Sequence, residues 1–321
     1  MEKQKTQGAA SGRAAADRSL MMNNASSGHK LGQLIGDWYE EYFVFPLLQE
    51  VAGKLNLFVD SRFVTRTVRS GKVIWDDLDG NSVDYDYVLE LDGSEDKTGV
   101  PVAFIECFWR RGARHSKDKA RDDSGKLMPM RATYPTARFL GIVAAGDFTR
   151  PARDLVRSRK IDLFYVPKEK IVSAFAECGL IMDYPDRLAE QKKAELVDTF
   201  ASRFTVERKK EVEKTLHRLL GRATTTSYVD RVKACLSALP QEIRLVLRQD
   251  SEPVCFESVS AATTFLKNPR FEMTCPLESY LYQVTYSDGS EFEQSVAGLN
   301  ELQALHTQID RLTCHMNALC G

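Results

Sequence analysis

Apolar side chains recur every three to four positions between Lys30 and Leu55, which is the spacing of an amphipathic helix that packs on a core. After this helix the pattern changes to short apolar or alternating runs bounded by Gly and Asp-Gly turns. These runs predict strands at 57–69, 83–91 and 101–109. The first part of the chain is therefore predicted to be one helix followed by three strands.

Helical and strand patterns alternate in the next part of the chain. They predict a polar helix at 114–127, a strand at 138–145, a short helix at 151–159 and a buried strand at 161–166. Strands that are joined first by turns and later by helices predict a mixed sheet, antiparallel at first, with helices on its faces. The sequence thus favours the α/β class.

The chain beyond Pro167 is mainly helical and ends in a smaller α+β unit. Helices are predicted at 167–178, 185–220 and 228–239, with the TTTS stretch at 224–227 as a break. They are followed by a strand at 242–249, a helix at 258–267, a hairpin around Asp288-Gly289 and a helix from 298. Four regions result: a flexible tail at 1–28, a core at 29–182, a helical region at 183–240 and a small α+β domain at 241–321.

The composition is that of a globular protein. The 321 residues are 43% apolar and 28% charged, and the formal net charge is −1, so attraction to a polyanion has to come from local clusters of Lys and Arg. Seven cysteines without a CxxC pair argue against a disulfide framework and predict a reducing, cytoplasmic setting. The tail lacks the apolar segment of a signal peptide, and no apolar run approaches 18 residues, so no membrane span is predicted.

The stretch VAFIECFWRRGARHSKDKARDDSGK at 102–126 carries the chemistry. Glu106 stands inside an apolar strand, and six Lys or Arg residues follow between positions 110 and 121. Asp84 and Asp86 lie two apart on the preceding predicted strand, so we expect them to share a face. If the two strands pair as a hairpin, Asp86 meets Glu106, and such carboxylates suit Mg²⁺.

Simpler explanations remain open for these residues. The two aspartates are compatible with a solvated edge strand, Glu106 with a structural salt bridge to Arg110, and the basic run with a solvated helix face. His115 is more typical of a helix start or a phosphate contact than of a general base. Trp109 is more typical of a core than of a base-stacking platform.

The order of elements, the DYDYVLEL strand, the VAFIECFW strand and the basic helix resemble the PD-(D/E)xK restriction-endonuclease-like superfamily. IECFWRRGARHSKDKARDD also resembles a narrower bacterial group in which a strand glutamate is followed by Trp-Arg-Arg and a His-Ser-Lys-x-Lys-Ala helix start. The resemblance covers about residues 30–180. It implies a restriction-endonuclease-like mixed β-sheet core flanked by helices, with a C-terminal helical and small α+β region.

The resemblance also implies roles for individual residues. Asp86 matches the metal-binding aspartate of the family, and Glu106 matches the acidic residue of its E-x-K motif. Phe108 occupies the position of the family's lysine, which stabilises the attacking water and the charge that develops on phosphorus.

That lysine migrates to a neighbouring helix in some members of the superfamily. Lys117 and Lys119 are the available substitutes, and Lys119 is preferred because Asp122 lies three residues further on the same helical face. Asp122 and Asp84 are the additional candidates for the metal shell.

The activity implied is that of a Mg²⁺-dependent endonuclease acting on double-stranded DNA, with Mn²⁺ as a substitute for Mg²⁺. Phosphate contacts are predicted from Arg110, Arg111, Arg114, His115, Lys117 and Arg121. Residues 185–321 are the candidate region for target recognition, homodimerisation or a partner protein. The lysine missing at position 108 leaves an alternative open, namely a nuclease fold that has lost catalysis and binds DNA or a partner.

Overall fold

The computed structural model describes residues 26–185, 187–247, 252–269 and 279–320. The strands, in chain order, are β1 (Phe58–Ser61), β2 (Val73–Asp76), β3 (Ser82–Tyr85), β4 (Tyr87–Leu91), β5 (Val100–Arg110), β6 (Phe139–Gly146), β7 (Asp162–Pro167), β8 (Pro240–Leu247), β9 (Val254–Phe256), β10 (Tyr280–Tyr286) and β11 (Glu291–Val296). The helices are α1 (Ser27–Trp38), α2 (Phe45–Leu55), α3 (Ser116–Thr133), α4 (Arg150–Ser158), α5 (Lys168–Glu177), α6 (Glu190–Arg203), α7 (Val206–Leu220), α8 (Arg222–Ser237), α9 (Val259–Lys267) and α10 (Leu299–Cys320). A π-helical turn, Tyr39–Val44, joins α1 to α2.

Five strands form the central sheet in the order β1-β4-β5-β6-β7. Strand β4 pairs antiparallel with β1 and β5, whereas β5, β6 and β7 run parallel to one another. Parallel neighbours need crossover connections, and α3 and α4 provide them. The prediction of an α/β chain with a mixed central sheet flanked by helices is therefore confirmed.

Alternate residues of β5 face opposite sides of this sheet. Phe104 and Phe108 belong to the hydrophobic cluster that includes side chains of α3 and α4. Ile105 and Cys107 belong to the larger cluster formed with α1, α2, α5, α7 and α8. Glu106 has the parity of the two phenylalanines, so its side chain belongs to the face that α3 covers.

The first two predicted strands are partly wrong. Of the run 57–69, only Phe58–Ser61 forms a strand, because the chain then turns to bury Arg66. The run 83–91 is broken at Asp86, which separates β3 from β4. Strand β3 pairs instead with β2, which the pattern missed, in a separate two-stranded sheet. Asp84 and Asp86 consequently do not share one strand face.

The C-terminal half also departs from the pattern in detail. The predicted helix at 185–220 is two helices, α6 and α7, and the following break lies at Gly221, where φ is 81°, rather than at the threonines 224–226 inside α8. Strands β8 to β11 form a four-stranded sheet in the order β11-β10-β8-β9 with its own core against α9 and α10. Residues 1–25 of the predicted tail and 248–249 of the predicted strand lie outside the described residues. Across the described ranges, no helix has the length and apolarity needed to cross a membrane.

Candidate functional site

Asp86 and Glu106 lie side by side where β4 meets β5. Tyr87 of β4 pairs with Ile105 of β5, so the residue before Tyr87 lies next to Glu106. The amide of Cys107 donates a hydrogen bond of 2.7 Å to Oδ2 of Asp86, which fixes that carboxylate against β5. The break in the predicted strand thus turns Asp86 toward the neighbouring strand.

Glu106 is 2% exposed, and among the described residues only one of its two carboxylate oxygens has a partner. Nζ of Lys126 lies 3.2 Å from Oε2 and 3.4 Å from the backbone oxygen of Asp84. Oε1 is buried and accepts no hydrogen bond from the described residues. Because a buried polar atom without a partner costs about 1–3 kcal/mol, this oxygen is suited to accept a ligand.

Helix α3 brings two further charged side chains to the same place. Nζ of Lys119 lies 2.6 Å from Oδ1 of Asp123 and 5.4 Å from the centre of the Phe108 ring. Asp123 is fully buried, and its Oδ2 also lacks a described partner. The helix therefore turns residue 123 toward the sheet, whereas the predicted Asp122 is exposed to solvent.

The π-helical turn between α1 and α2 adds a fourth carboxylate. Single π-helical turns occur frequently at functional sites. Glu40 lies on this turn, where its Oε2 is 2.7 Å from Nη2 of Arg62 and its backbone carbonyl accepts a hydrogen bond of 2.7 Å from the Tyr87 hydroxyl. We call the whole group the carboxylate–lysine cluster; its members are Glu40, Asp86, Glu106, Asp123, Lys119 and Lys126.

The four carboxyl groups of this cluster all have raised pKa values. Burial, and then the charge of Asp86, raises the pKa of Glu40 to about 8. Burial raises the pKa of Glu106 well above its ordinary value, and Asp86 and Asp123 add to this. Burial also raises the pKa values of Asp86 and Asp123, against the opposing charge of Lys119. The cluster therefore favours additional positive charge, whether a proton or a metal cation.

The oxygen ligands of the cluster fit a hard cation that takes only one or two of its ligands from the protein. Within the described ranges, no group of three or more His, Cys, Asp or Glu side chains is arranged as a metal site. Mg²⁺, however, is commonly held by one or two protein carboxylates together with water and phosphate oxygens. Asp86 and Glu106, with the unpartnered Oε1 of Glu106, satisfy that requirement.

The predicted phosphate-binding residues lie around the start of α3, beyond the end of β5. Arg110, Arg114, His115, Lys117 and Arg121 are exposed there. Arg111 is different, because its guanidinium lies 3.8 Å from the centre of the Tyr184 ring, donates to the Tyr184 carbonyl and is 3.6 Å from Asp183. Arg111 therefore ties the end of β5 to the segment before α6.

Three of the simpler explanations can be compared with the structure. Glu106 forms its ion pair with Lys126 rather than with Arg110, whose side chain is exposed. Trp109 is 8% exposed and belongs to the hydrophobic core, as predicted. Asp84 is half exposed and forms an ion pair of 2.8 Å with Lys72, so its carboxylate does not join the cluster.

Sequence reasoning missed three members of the cluster. Asp123 and Lys126 lie on α3 one and two turns beyond Lys119, and the apolar positions of that helix are too few to fix which face is buried. Glu40 lies inside an amphipathic helical pattern, where an exposed acidic residue is ordinary, and no local pattern distinguishes its π-helical turn from an α-helix.

Comparison with models of protein families, with curated proteins and with solved structures finds no match to this chain.

Proposed function

We propose that the protein is a Mg²⁺-dependent DNA endonuclease whose active site is the carboxylate–lysine cluster. The observation that carries the proposal is the adjacency of Asp86 to the buried Glu106, one oxygen of which has no partner among the described residues. This arrangement agrees with the roles implied by the resemblance to the PD-(D/E)xK superfamily. A restriction-endonuclease-like fold is part of the same proposal.

Asp86 and Glu106 would hold the metal ion. When bound, Mg²⁺ supplies positive charge that makes water a better nucleophile and polarises the phosphodiester. The chain's part is to hold the two carboxylates in place, Asp86 through the Cys107 amide and Glu106 through Lys126.

Two lysines are positioned to offset the negative charge that develops on the phosphate. Lys119 is held by Asp123 and lies over the ring of Phe108, the residue at the family's lysine position. Lys126 is held by Glu106 itself. We assign charge stabilisation to Lys119 and orientation of Glu106 to Lys126, because a lysine already paired with the metal-binding carboxylate fixes that group.

The exposed cations at the start of α3 would bind the DNA backbone. These side chains begin at the end of β5. Their attraction to DNA phosphates does not depend on the base sequence. Arg114 and Lys117 are the best candidates, since both are exposed, whereas the exposed His115 and Arg121 each contact Asp118.

The proposal is tested by cleavage of supercoiled plasmid in Mg²⁺ or Mn²⁺ by the wild-type protein and by Glu106→Gln. The glutamine keeps the size of the side chain and removes its charge, so we expect cleavage to fall below detection. The matched control is Glu50→Gln, a half-exposed residue of α2, and this variant should cleave normally. Glu90→Gln, on the central sheet, is a poor control because Glu90 has a structural role. Absence of cleavage by the wild-type protein under every divalent metal would reject the enzyme hypothesis.

The assignment of the lysines has its own test. Loss of one preorganised donor costs about 10²–10³-fold in rate, so Lys119→Ala should reduce cleavage by this factor with little change in DNA affinity. Lys126→Ala should reduce cleavage and also weaken Mn²⁺ binding, because Glu106 would lose its only described partner. Normal cleavage by Lys119→Ala would move the catalytic role to Lys126.

A second candidate function rests on Phe108. If the exchange of the family's lysine for a phenylalanine marks loss of catalysis, the protein is a DNA-binding or partner-binding module. DNA affinity without cleavage, unaffected by Glu106→Gln, would favour this alternative.

A further inference from the structure

A second charged site lies at the opposite end of α3 from its basic first turns. A cavity of about 340 Å³ opens between the end of α3, the first residues of β6 and β7, and α8. Its charged lining residues are Arg131, Arg138, Lys160, Asp162 and Arg231. Four cations therefore surround the cavity together with a single carboxylate.

Two of these cations already have partners. Arg231 engages Asp162 through two contacts, 2.5 Å from Nε to Oδ2 and 2.9 Å from Nη2 to Oδ1. Arg138 donates to the Ala238 carbonyl at 3.2 Å and lies 3.2 Å from the centre of the Tyr286 ring. Arg138 also lies 3.6 Å from Asp288 and thus joins the core to the C-terminal sheet. Asp162 is the single carboxylate among the described lining residues, and Arg231 occupies it.

Arg131 and Lys160 are the cations that remain. The guanidinium of Arg131 forms no ion pair or hydrogen bond with a described residue, although the side chain is half-buried. Burial lowers its pKa against an opposing effect of Cys235, and Arg138 adds a smaller lowering effect. Lys160 is exposed at the rim in a left-handed conformation with φ of 56°. The cavity therefore carries a surplus of positive charge that the described residues do not offset.

Half-buried like charges destabilise a folded chain unless an anion lies between them. A guanidinium presents a planar set of donors that matches the oxygens of a phosphate group. The volume is also in the range of small-ligand sites. We propose that this cavity binds a phosphate group through Arg131 and Lys160, either of a small phosphate compound or of a nucleic-acid backbone.

A purely structural role for Arg131 predicts a different effect of Arg131→Gln on the melting temperature. Arg131 lies in the last turn of α3, where a cation stabilises the helix through its dipole. If that were its role, Arg131→Gln would lower the melting temperature and phosphate would stabilise both proteins equally. If the proposal is correct, Arg131→Gln removes an uncompensated charge, so its melting temperature without phosphate is equal to or above that of the wild type.

The experiment is thermal unfolding of the full chain in inorganic phosphate and in chloride at equal ionic strength. We expect phosphate to raise the melting temperature of the wild type and to have at least tenfold lower affinity for Arg131→Gln, with partial recovery in Arg131→Lys. Arg150→Gln, an 86% exposed arginine at the start of α4, is the matched control and should respond like the wild type. If Arg131→Gln does not fold, Lys160→Asn, which tolerates the left-handed conformation, should weaken phosphate binding severalfold.

Two further ligands distinguish the sources of the phosphate group. If a nucleoside monophosphate binds with an affinity that depends on Arg131 and a short DNA duplex does not, the site serves a small compound. If the duplex affinity falls with Arg131→Gln, the site contacts nucleic acid. Equal phosphate responses of the wild type and both cavity variants, or no response of the wild type, would overturn the proposal.

Discussion

The two ends of β4 carry two buried carboxylate clusters that differ in how their oxygens are satisfied. At the far end, Asp60 and Glu90 are held by Arg66 and Arg69, a group we call the arginine cluster. Oε1 of Glu90 lies 2.6 Å from Nη1 of Arg66, and its Oε2 accepts from Nη2 of Arg66 at 3.2 Å and from the Gly99 amide at 2.6 Å. Both oxygens of Asp60 accept from the two arginines.

The carboxylate–lysine cluster before the first residue of β4 has the opposite character. Glu106 and Asp123 each receive a single lysine ammonium there instead of the planar donors of an arginine. Oε1 of Glu106 and Oδ2 of Asp123 remain without partners among the described residues. The carboxyl pKa values are raised by burial and by one another.

The comparison separates a structural use of buried charge from a functional one. In the arginine cluster, every carboxylate oxygen is satisfied within the protein, so the network fixes the loops after β1 and β4 and has no capacity for a ligand. In the carboxylate–lysine cluster, repulsion between carboxyl groups is left uncompensated, and a cation would relieve it. The same carboxylate repulsion that destabilises the fold therefore favours binding of a cation.

The largest expected effect comes from breaking the arginine cluster. Arg66→Ala leaves Glu90 and Asp60 buried without their main cation, which typically costs about 3–5 kcal/mol. The denaturant midpoint of Arg66→Ala should therefore be much lower than that of the wild type. Its DNA cleavage should fall only in proportion to the fraction of unfolded protein. Arg208→Ala, which breaks an exposed ion pair with Glu211, is the control and should change the midpoint little. A midpoint for Arg66→Ala that matches the control would mean that the network is not structural.

The next effect separates the clusters by their response to metal. Mn²⁺ at 100 times its dissociation constant should stabilise the wild type by about 2.7 kcal/mol, because only the folded chain brings Asp86 and Glu106 together. Thermal unfolding with and without Mn²⁺ measures this. Asp86→Asn should abolish the stabilisation, whereas Asp84→Asn should retain it, since Asp84 pairs with Lys72 outside the cluster. Equal stabilisation of the wild type and Asp86→Asn would place the metal elsewhere.

Matched glutamate-to-glutamine changes in the two clusters should have smaller effects on the free energy of unfolding, and the two effects should be opposite in sign. Glu106→Gln replaces a carboxyl group whose ionised form is disfavoured by burial and by its acidic neighbours, so without metal it should raise the free energy of unfolding by about 1 kcal/mol. Glu90→Gln removes a charge that Arg66 needs and should lower it by about 1–3 kcal/mol. Urea unfolding of the two variants checks the signs, and a loss of stability in both would show that the clusters do not differ in kind.

The sequence predicted the mixed sheet and the pairing that brings Asp86 to Glu106, because a two-residue period and Asp-Gly turns are local signals. It did not predict that Asp86 leaves the strand. The bend depends on a hydrogen bond from Cys107, which lies 21 residues later in the chain. Long-range contacts of this kind leave no local pattern.

The face of α3 was mistaken for a related reason. Asp122 and Asp123 are adjacent acids on a polar helix. Ala120 and Leu127 of this helix pack with Phe104 and Phe108, and Asp123 is the acid that is buried. The same packing places Lys126 on Glu106. Arg66 was assigned to a strand because its neighbours alternate, whereas its burial between Asp60 and Glu90 is possible only once β1 and β4 have paired.

The last prediction concerns Glu40, the member of the carboxylate–lysine cluster that also contacts an arginine. Its pKa is about 8 in the folded chain against an ordinary value of 4.5, because of burial and the charge of Asp86, with Arg62 opposing both. A carboxyl group with a raised pKa stabilises the fold fully below pH 4.5 and loses that contribution as the pH rises toward 8. The free energy of unfolding of the wild type should therefore fall across this window relative to Glu40→Gln, by at most about 1.4 kcal/mol per pH unit. Urea unfolding at pH 5, 6, 7 and 8 measures the difference. Glu50→Gln is the exposed control, and its free energy of unfolding should depend on pH as that of the wild type does.

The same pH dependence in Glu40→Gln and the wild type would contradict this prediction. It would show that Arg62 neutralises Glu40 as completely as Arg66 neutralises Glu90. The distinction between the two ends of β4 would then be confined to Asp86, Glu106 and Asp123.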